Sequence, residues 1–499
     1  MKSAKDAMTM KRKLAIGLDI GTTSAKAVAF DLKGKLIAEA EERLTTIYPQ
    51  SGWVEQNPDE VEKACRIVMN KIIQEVGKGH ELLAAGISCA MHSLICMDEN
   101  VKPLSNMLIW SDGRSCEQAE RIGQSTGMDI YSRTGTPIHP MTPLMKLIWM
   151  RENKYEAYEK AAYYMTFKEY LLHKWFGNCA IDYSMASSTG LMNIKTLDWD
   201  EEALDLAGIK REQLSRIVPP TEIFSSLDKA IAEETGIPAD MPFIIGAADG
   251  QLANLGSGAT SPGEVNVSVG TSGAIRQFVT GTPVNDEMET FTYAFTKDTS
   301  IIGGPTNNGG IALQWFKDMI EFKGTHDELL AGAENVEPGS DGIIFLPYIN
   351  GERAPLWNQR ARGNFYGLCI GHERDHLARA VLEGIVFNIY QIGKSLEKMA
   401  GEPRKITVNG GLSKSPLWVQ IMADVFGSDI YLSDTHHNAA WGAAWTALVG
   451  IGAAESFDAI KENLPAETVI KPNMANHEVY IKIYERYEKI AEDLHSYFI

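Results

Sequence analysis

The chain has 499 residues, 44% of them hydrophobic, enough to fill the cores of two or more domains. Its net charge of −18 argues against general attraction to polyanions, so neither nucleic acid nor an anionic membrane is an expected partner. No apolar stretch follows MKSAKDAMTMKRK as in a signal peptide, no run of about 18 apolar residues offers a membrane span, and six cysteines without a C-x-x-C spacing fit reduced thiols in the cytoplasm.

In chain order, strands are predicted over residues 14–20, 25–30 and 36–40. The first, LAIGLDI, places Asp19 in an apolar run and breaks on Gly21-Thr22-Thr23-Ser24. That pattern suits either a β-hairpin with a polar turn or a loop that holds a metal-bound phosphate. Asn57-Pro58-Asp59-Glu60 then starts a helix, with Asn as cap and Pro in the first turn, running to about residue 75. A strand over 83–89 follows, and strands mixed with helices at this spacing predict α/β architecture.

In PFIIGAADGQLANLGSG a strand over 243–245 leads to Asp249 and a helix start near Gly250. An Asp there is either a helix cap or a base presented at the C-terminal end of a strand. The turn-rich GSGATSPG, 256–263, marks the predicted domain boundary, giving residues 1–256 and 257–499. Directly after it, EVNVSVGTSGAIRQFV repeats the opening pattern. Gly21 matches Gly270, Thr22 matches Thr271, and Asp19 matches Ser268. The repeat suggests a duplicated fold in which only the first copy carries the carboxylate.

Further on, GGPTNNGGIALQWF brings Gly309-Gly310 to a helix start suited to a terminal phosphate. HERDH, 372–376, matches the H-E-x-x-H zinc pattern, but the helical stripe Leu377, Ala380, Val381, Gly384 and Ile385 begins after Asp375. Asp375 is then the predicted N-cap and His372 belongs to the preceding loop, which disfavours zinc. In ITVNGGLSKSPLWVQIMADVFG a strand meets Gly410-Gly411, where small residues let a flat ring approach the backbone, and a helix follows. The last helix, with Tyr480, Ile483, Tyr487, Ile490 and Leu494 on one face, is predicted to pack on the core.

Neither a P-loop nor a convincing G-x-G-x-x-G unit is present. Paired hairpins can do the same work: backbone N–H groups and Thr hydroxyls donate to phosphate oxygens, and an Asp orders the water around Mg²⁺.

The ordered motifs resemble the FGGY family of carbohydrate kinases. DIGTTSAK and VSVGTSG look like its phosphate hairpins, VNGGLSKSPLWVQIMADVFG like its adenosine segment, and MTPLMKLIWMREN and GNFYGLCIGHERDHLARAVLE like its two signatures. The resemblance implies a duplicated, actin/hexokinase-like α/β fold with ribonuclease-H-like domains around a cleft, ATP with Mg²⁺ as phosphoryl donor, and a sugar or polyol as acceptor. It implies Asp249 as general base and Asp19 as the Mg²⁺-associated carboxylate. Thr22, Thr23, Thr271, Gly310, Gln314, Gly410, Gly411 and Ser415 fall at nucleotide-contact positions. Met91 and His92 look like a sugar-contacting pair, with Trp110 and Asp112 nearby. TGTPIHPMTPL, YSMASSTGLMNIKTLDWD and NNGGIALQWF look most like the gluconokinase branch, implying phosphorylation of gluconate at its 6-hydroxyl. A carboxylated acceptor asks for a cation or good donors, for which His92, His139, Lys146, Lys168 and Arg353 are candidates. Rival expectations are xylulose or another ketose or polyol as acceptor, and a non-catalytic, actin-like ATP-binding switch. A homodimer is carried as an open expectation.

Overall fold

The structure, a computed structural model, describes residues 11–77, 79–433 and 437–498. The basic N-terminal stretch lies outside these as far as residue 10.

Strands β1 (Arg12–Ile20), β2 (Ser24–Asp31) and β3 (Leu36–Arg43) form an antiparallel meander. Beyond its first two residues β1 is almost wholly interior, hence its continuous apolar run, whereas β3 at the sheet edge buries Ala38 and Ala40 and leaves Glu39 and Glu41 in water. Helix α1 (Pro58–Val76) is capped by Asn57, whose Oδ1 accepts from the Asp59 and Glu60 N–H groups at 2.9 and 3.3 Å. Then come β4 (His80–Cys89), α2 (Pro143–Glu152), α3 (Phe167–Phe176), the short β5 (Ile223–Phe224), β6 (Phe243–Ala248) and α4 (Asp249–Gly256). The sheet order is β5-β6-β4-β1-β2-β3, with β6, β4 and β1 parallel.

The second sheet uses β7 (Glu264–Val269), β8 (Gly273–Thr280), β9 (Phe291–Ala294) and β10 (Thr299–Thr306). Helices α5 (Gly310–Met319) and α6 (Arg374–Ala400) precede β11 (Lys405–Gly410), and α7 (Pro416–Phe426) precedes β12 (Ile430–Leu432). Helix α8 (Asn438–Gly450), β13 (Thr468–Ile470) and α9 (Met474–Leu494) complete the set. Its order is β9-β10-β8-β7-β11-β12-β13. The path β10-β8-β7-β11-β12 repeats the path β3-β2-β1-β4-β6, with the same two antiparallel and two parallel pairings and an antiparallel strand, β13 or β5, beyond. The hairpin repeat is therefore a repeat of the whole sheet, the duplicated α/β arrangement expected.

One helix crosses that division. Although α8 lies past residue 256, it packs on β1, β4 and α4. Glycines admit its backbone: a Cβ on Gly17 would stand 1.9 Å from the Ala440 carbonyl oxygen, one on Gly86 1.9 Å from that of Ala443, and one on Gly256 1.9 Å from that of Asn438. In return, a Cβ on Gly442 would stand 2.0 Å from the Leu252 carbonyl. Side chains cannot enter such contacts without moving backbone, so Gly17→Val is expected to lose at least about 3 kcal/mol in a urea melt. A loss below about 1 kcal/mol would contradict this packing.

Helix α6 is capped at Glu373, not at the predicted Asp375, because His376 turns back and its Nδ1 accepts from the Glu373 N–H at 3.1 Å. His372 stands in the loop before it, its Nδ1 accepting from the Cys369 N–H at 3.0 Å. Both rings are thus engaged with backbone rather than facing a common ligand. In α9, Tyr480, Tyr484, Tyr487 and Ala491 are buried, while Ile483, Ile490 and Leu494 are only partly covered. All six cysteines are free, and among the described residues no helix is long and apolar enough to cross a membrane.

Candidate active site

Strand β6 ends at Ala248, and the next residue, Asp249, opens α4 at the C-terminal edge of the parallel strands, where open α/β sheets gather ligands. Its Oδ1 accepts from the Gly250 N–H at 2.8 Å. Asp249 faces a cavity of about 300 Å³ whose lining includes Met91, His92, Trp110, Thr271 and Arg353. A second cavity, of about 610 Å³, is lined by Asp19, Gly410, Gly411 and Asn438 among others, and Ser268 belongs to both walls. Met91, His92, Trp110, Thr271 and Asp249 of the predicted set thus line one chamber, Asp19, Gly410 and Gly411 the other, and the two share a wall.

Ser88, the register partner of Asp19 on β4, donates its hydroxyl to Asp19 Oδ1 at 2.7 Å. Burial pushes the Asp19 carboxyl up to about 6; the Ser88 bond opposes this and the negative charge of Asp249 adds to it. The two carboxylates, 230 positions apart, feel one another. Burial raises Asp249 as well, opposed first by the nearby Arg276 guanidinium.

On the acceptor side, His92 is held in the left-handed backbone region with φ 68°. Its Nδ1 lies 2.8 Å from the Ser188 carbonyl, and burial, with the Lys146 charge, drives its pKa down to about 3. The ring is neutral at pH 7, so Nδ1 carries the proton it donates to Ser188 and Nε2 keeps a lone pair.

Four of the expected acceptor-side residues, Asp112, His139, Lys146 and Lys168, stand outside the cavity lining. Asp112 is fully buried away from the cavity lining: it accepts from the Val54 N–H at 2.7 Å and pairs at 2.8 Å with Arg114, which also meets Glu55 at 2.6 Å. Lys146 does not face the acceptor cavity either. Its ammonium donates to the carbonyls of His92 at 2.6 Å and Ile109 at 2.8 Å, stapling together the segments that carry His92 and Trp110. Lys168 donates to Asp182 at 2.7 Å and to the Ala247 carbonyl at 2.9 Å, while the Ala248 N–H donates to Ser184 Oγ at 2.8 Å. These bonds fix the two residues before Asp249. His139 is buried outside the lining, its Nδ1 accepting from the Met141 N–H at 3.2 Å. Of the five candidates for a substrate carboxylate, His92 and Arg353 reach the cavity.

On the nucleotide side, Thr271, Gly410 and Gly411 line the chambers. Gly410 has φ 86°, and a Cβ there would stand 2.6 Å from the Val269 carbonyl oxygen, so glycine is required. The amide of Gly310, expected to meet a phosphate, instead donates to the Gly270 carbonyl at 2.7 Å, and Ile311 donates to that of Thr271 at 3.0 Å. The start of α5 thus braces the second hairpin. Thr22 accepts through its carbonyl from Gln56 Nε2 at 2.7 Å, and exposed Thr23 accepts from the Leu44 N–H at 2.9 Å. Gln314 bonds Asp318 at 2.8 Å on its own helix, and Ser415 caps α7 by accepting from the Trp418 N–H at 3.3 Å; neither lines the two chambers.

Sequence reasoning missed Arg276 and Tyr293 in the acceptor wall, and the buried Glu352 behind it. Glu352 accepts from Thr306 Oγ1 at 2.7 Å, the Asn307 N–H at 2.8 Å and Asn388 Nδ2 at 2.8 Å, tying the Arg353 segment to the turn before α5. The one available signal was an arginine within the otherwise mostly apolar run GAIRQFV.

The second chamber offers oxygen donors: the Asp19 carboxylate, the Ser268 hydroxyl, and the Asn409 carbonyl, whose amide nitrogen is taken by Asn266 at 2.8 Å. Among the described residues no group of three or more His, Cys, Asp or Glu could hold a metal ion. This set fits a hard cation held by one carboxylate, waters and phosphate oxygens, the habit of Mg²⁺, and does not fit zinc.

Comparison with known proteins identifies the chain's relatives. Residues 14–256 match the FGGY family of carbohydrate kinases, N-terminal domain, and residues 265–451 match its C-terminal domain. The chain is 39% identical over 498 residues to the gluconokinase of Bacillus subtilis (strain 168), covering 96% of both chains. The crystal structure of gluconate kinase from Lactobacillus acidophilus superposes with a TM-score of 0.94 at 33% identity, covering 97% of this chain and 98% of that one. Ligand-bound xylulose kinase from Lactobacillus acidophilus matches with the same TM-score, identity and coverage.

Proposed function

The chain belongs to the FGGY family of carbohydrate kinases, and from that premise we propose that it transfers the γ-phosphoryl group of ATP to the 6-hydroxyl of D-gluconate, giving 6-phospho-D-gluconate. The observation that carries this reading is the pair of chambers sharing Ser268, with Asp249 in one and Asp19 in the other. The similarity to the Bacillus subtilis gluconokinase favours gluconate as acceptor. Residues 1–256 and 257–499 act as the two domains, with α8 riding on the first.

In this mechanism Asp249 accepts the proton of the attacked hydroxyl. Burial, by holding its pKa above the ordinary carboxylate range, makes it a stronger base than a surface Asp. His92 Nε2 accepts from an acceptor hydroxyl, and Trp110 with Met91 covers the carbon chain. Thr271 and the Gly270 turn sit where the transferring group passes between chambers, and Gly410-Gly411 let the adenine ring lie on backbone. Mg²⁺, when bound beside Asp19, supplies the charge neutralisation that phosphoryl transfer demands. Met91, His92, Trp110 and Asp249 thus serve the acceptor, and Asp112 acts through Arg114 on the loop that carries Trp110.

The test is ADP release with gluconate, xylulose, ribulose and glycerol compared in one coupled assay. Gluconate is expected to give a kcat/KM at least about tenfold above the others, a margin of about 1.4 kcal/mol in transition-state binding. Xylulose as the preferred acceptor is the second reading, favoured by the equal likeness to the xylulose kinase structure, and its lead in that assay would replace gluconate.

A further inference from the structure

Arg276 has no part in the mechanism above, yet the fold makes room for it. On β8 it lies opposite Gly303 of β10, which in turn faces Phe291 of β9. A Cβ on Gly303 would stand 2.8 Å from Arg276 Cγ, and one on Gly250 would stand 3.0 Å from its Nε. The side chain runs in a slot between two glycines and ends at the acceptor wall. There it makes no hydrogen bond or ion pair with any described residue, and its Nε is buried without a partner. Asp249 attracts it without pairing to it. Tyr293, on the same wall, shares this condition: its hydroxyl is buried and unpartnered. Arg353 also buries an unpartnered Nε, but its Nη2 donates to the Thr306 carbonyl at 3.2 Å and its guanidinium lies 4.9 Å over the Trp110 ring.

The Arg276 Nε is shut away without a partner, and the rest of the guanidinium faces the cavity with no counter-ion bonded to it, which leaves a site for an anion. We propose that Arg276, with the Tyr293 hydroxyl beside it, binds the carboxylate of the acceptor and so selects a sugar acid over a neutral sugar or polyol. This rests on the sugar-acid reading above. Asp249 and Arg276 face one cavity without touching, so a single molecule can present a hydroxyl to one and a carboxylate to the other. The planar fork of arginine suits a carboxylate in two parallel hydrogen bonds.

The test uses the full-length protein and the variants Arg276→Gln, Arg276→Lys and Tyr293→Phe. Each is assayed with gluconate, with D-glucitol (the neutral polyol bearing a hydroxymethyl group in place of the carboxylate) and with ATP varied at saturating gluconate. Thermal melts with and without gluconate run alongside. In Arg276→Gln the ratio of kcat/KM for gluconate over glucitol is expected to fall 10- to 100-fold, mainly through KM, as loss of a charge-assisted contact does. The KM for ATP should stay within about twofold, the stabilisation of the melt by gluconate should vanish, and Arg276→Lys should restore part of both. An equal fall in kcat with both acceptors would assign Arg276 to tuning Asp249, and a raised KM for ATP would assign it to the transferring phosphoryl group; either would overturn the proposal. So would a gluconate KM that none of the three variants changes. If the parent protein binds glucitol as tightly as gluconate, the sugar-acid reading itself fails, whatever the variants do.

Discussion

Asp249→Asn is expected to lower kcat by about 10²–10⁴, with KM for both substrates changed less than about threefold. The amide keeps the shape of the side chain and can still accept from the Gly250 N–H, but it cannot take a proton from the attacked hydroxyl. The loss therefore falls on the chemical step and spares binding. Stability should not suffer, because burial disfavours the Asp249 charge and Asn carries none. In the parent protein kcat/KM should fall on the acid side as Asp249 takes a proton, with the midpoint above the ordinary Asp range. Asp249→Asn should lose that dependence on Asp249. Steady-state kinetics across pH with gluconate and ATP decides the matter, and near-normal turnover in Asp249→Asn would place the base elsewhere.

The second large effect concerns Asp19. Asp19→Asn is expected to raise the Mg²⁺ concentration needed for half-maximal activity by about tenfold or more, as loss of a charged ligand partner does. Its effect on the free protein has the opposite sign. Folding lifts the Asp19 pKa from 3.8 to about 6, so the fold disfavours its ionised form. The contribution of a protonated Asp19 is fully present below pH 4 and is lost as pH rises through about 6. At pH 8 Asp19→Asn should then be more stable than the parent by on the order of 2 kcal/mol, and at pH 3.5 the two should match. Denaturant melts of apo-protein at the two pH values measure this. A variant less stable at pH 8 would mean that the cleft favours the Asp19 charge, contrary to its burial.

The parts of the fold visible in the sequence are those that local chemistry dictates. The β1–β2 hairpin follows from an apolar run broken by Gly-Thr-Thr, α1 from its Asn-Pro-Asp-Glu start, and Asp249 at a helix start from the small residues between strand and helix. The repeat around Gly270 exposed the duplication, because equal turns demand equal residues. Long-range partners were less legible. Nothing near Lys168 in the chain tells that its ammonium meets Ala247, 79 positions on, and Lys146, a plausible anion ligand by type, is consumed by two carbonyls whose segments are remote. Asp112 was placed by its proximity to Trp110, but the Val54 N–H, 58 positions earlier, and Glu55, which shares Arg114 with it, turn it inward. Gly310 shows the same limit at short range. Its conformational role was evident, but the hairpin carbonyl that takes its N–H comes from 40 positions earlier. Arg276 escaped notice because its environment is made by glycines on two other elements.

The backbone-to-backbone seating of α8 bears on how the enzyme senses what it holds. Asn438 and Ala439, at the start of that helix, form part of the chamber that also contains Gly410 and Gly411 from the other sheet. With glycines at Gly17, Gly86 and Gly256 leaving no side chain to yield, α8 is doweled to the Asp19 sheet and travels with it. On the proposed reading a nucleotide in that chamber would grip both lobes, like a strap across a book's spine, and the acceptor would press between the same two covers. Tension set by the first ligand would then be felt by the second, even where the two share no contact.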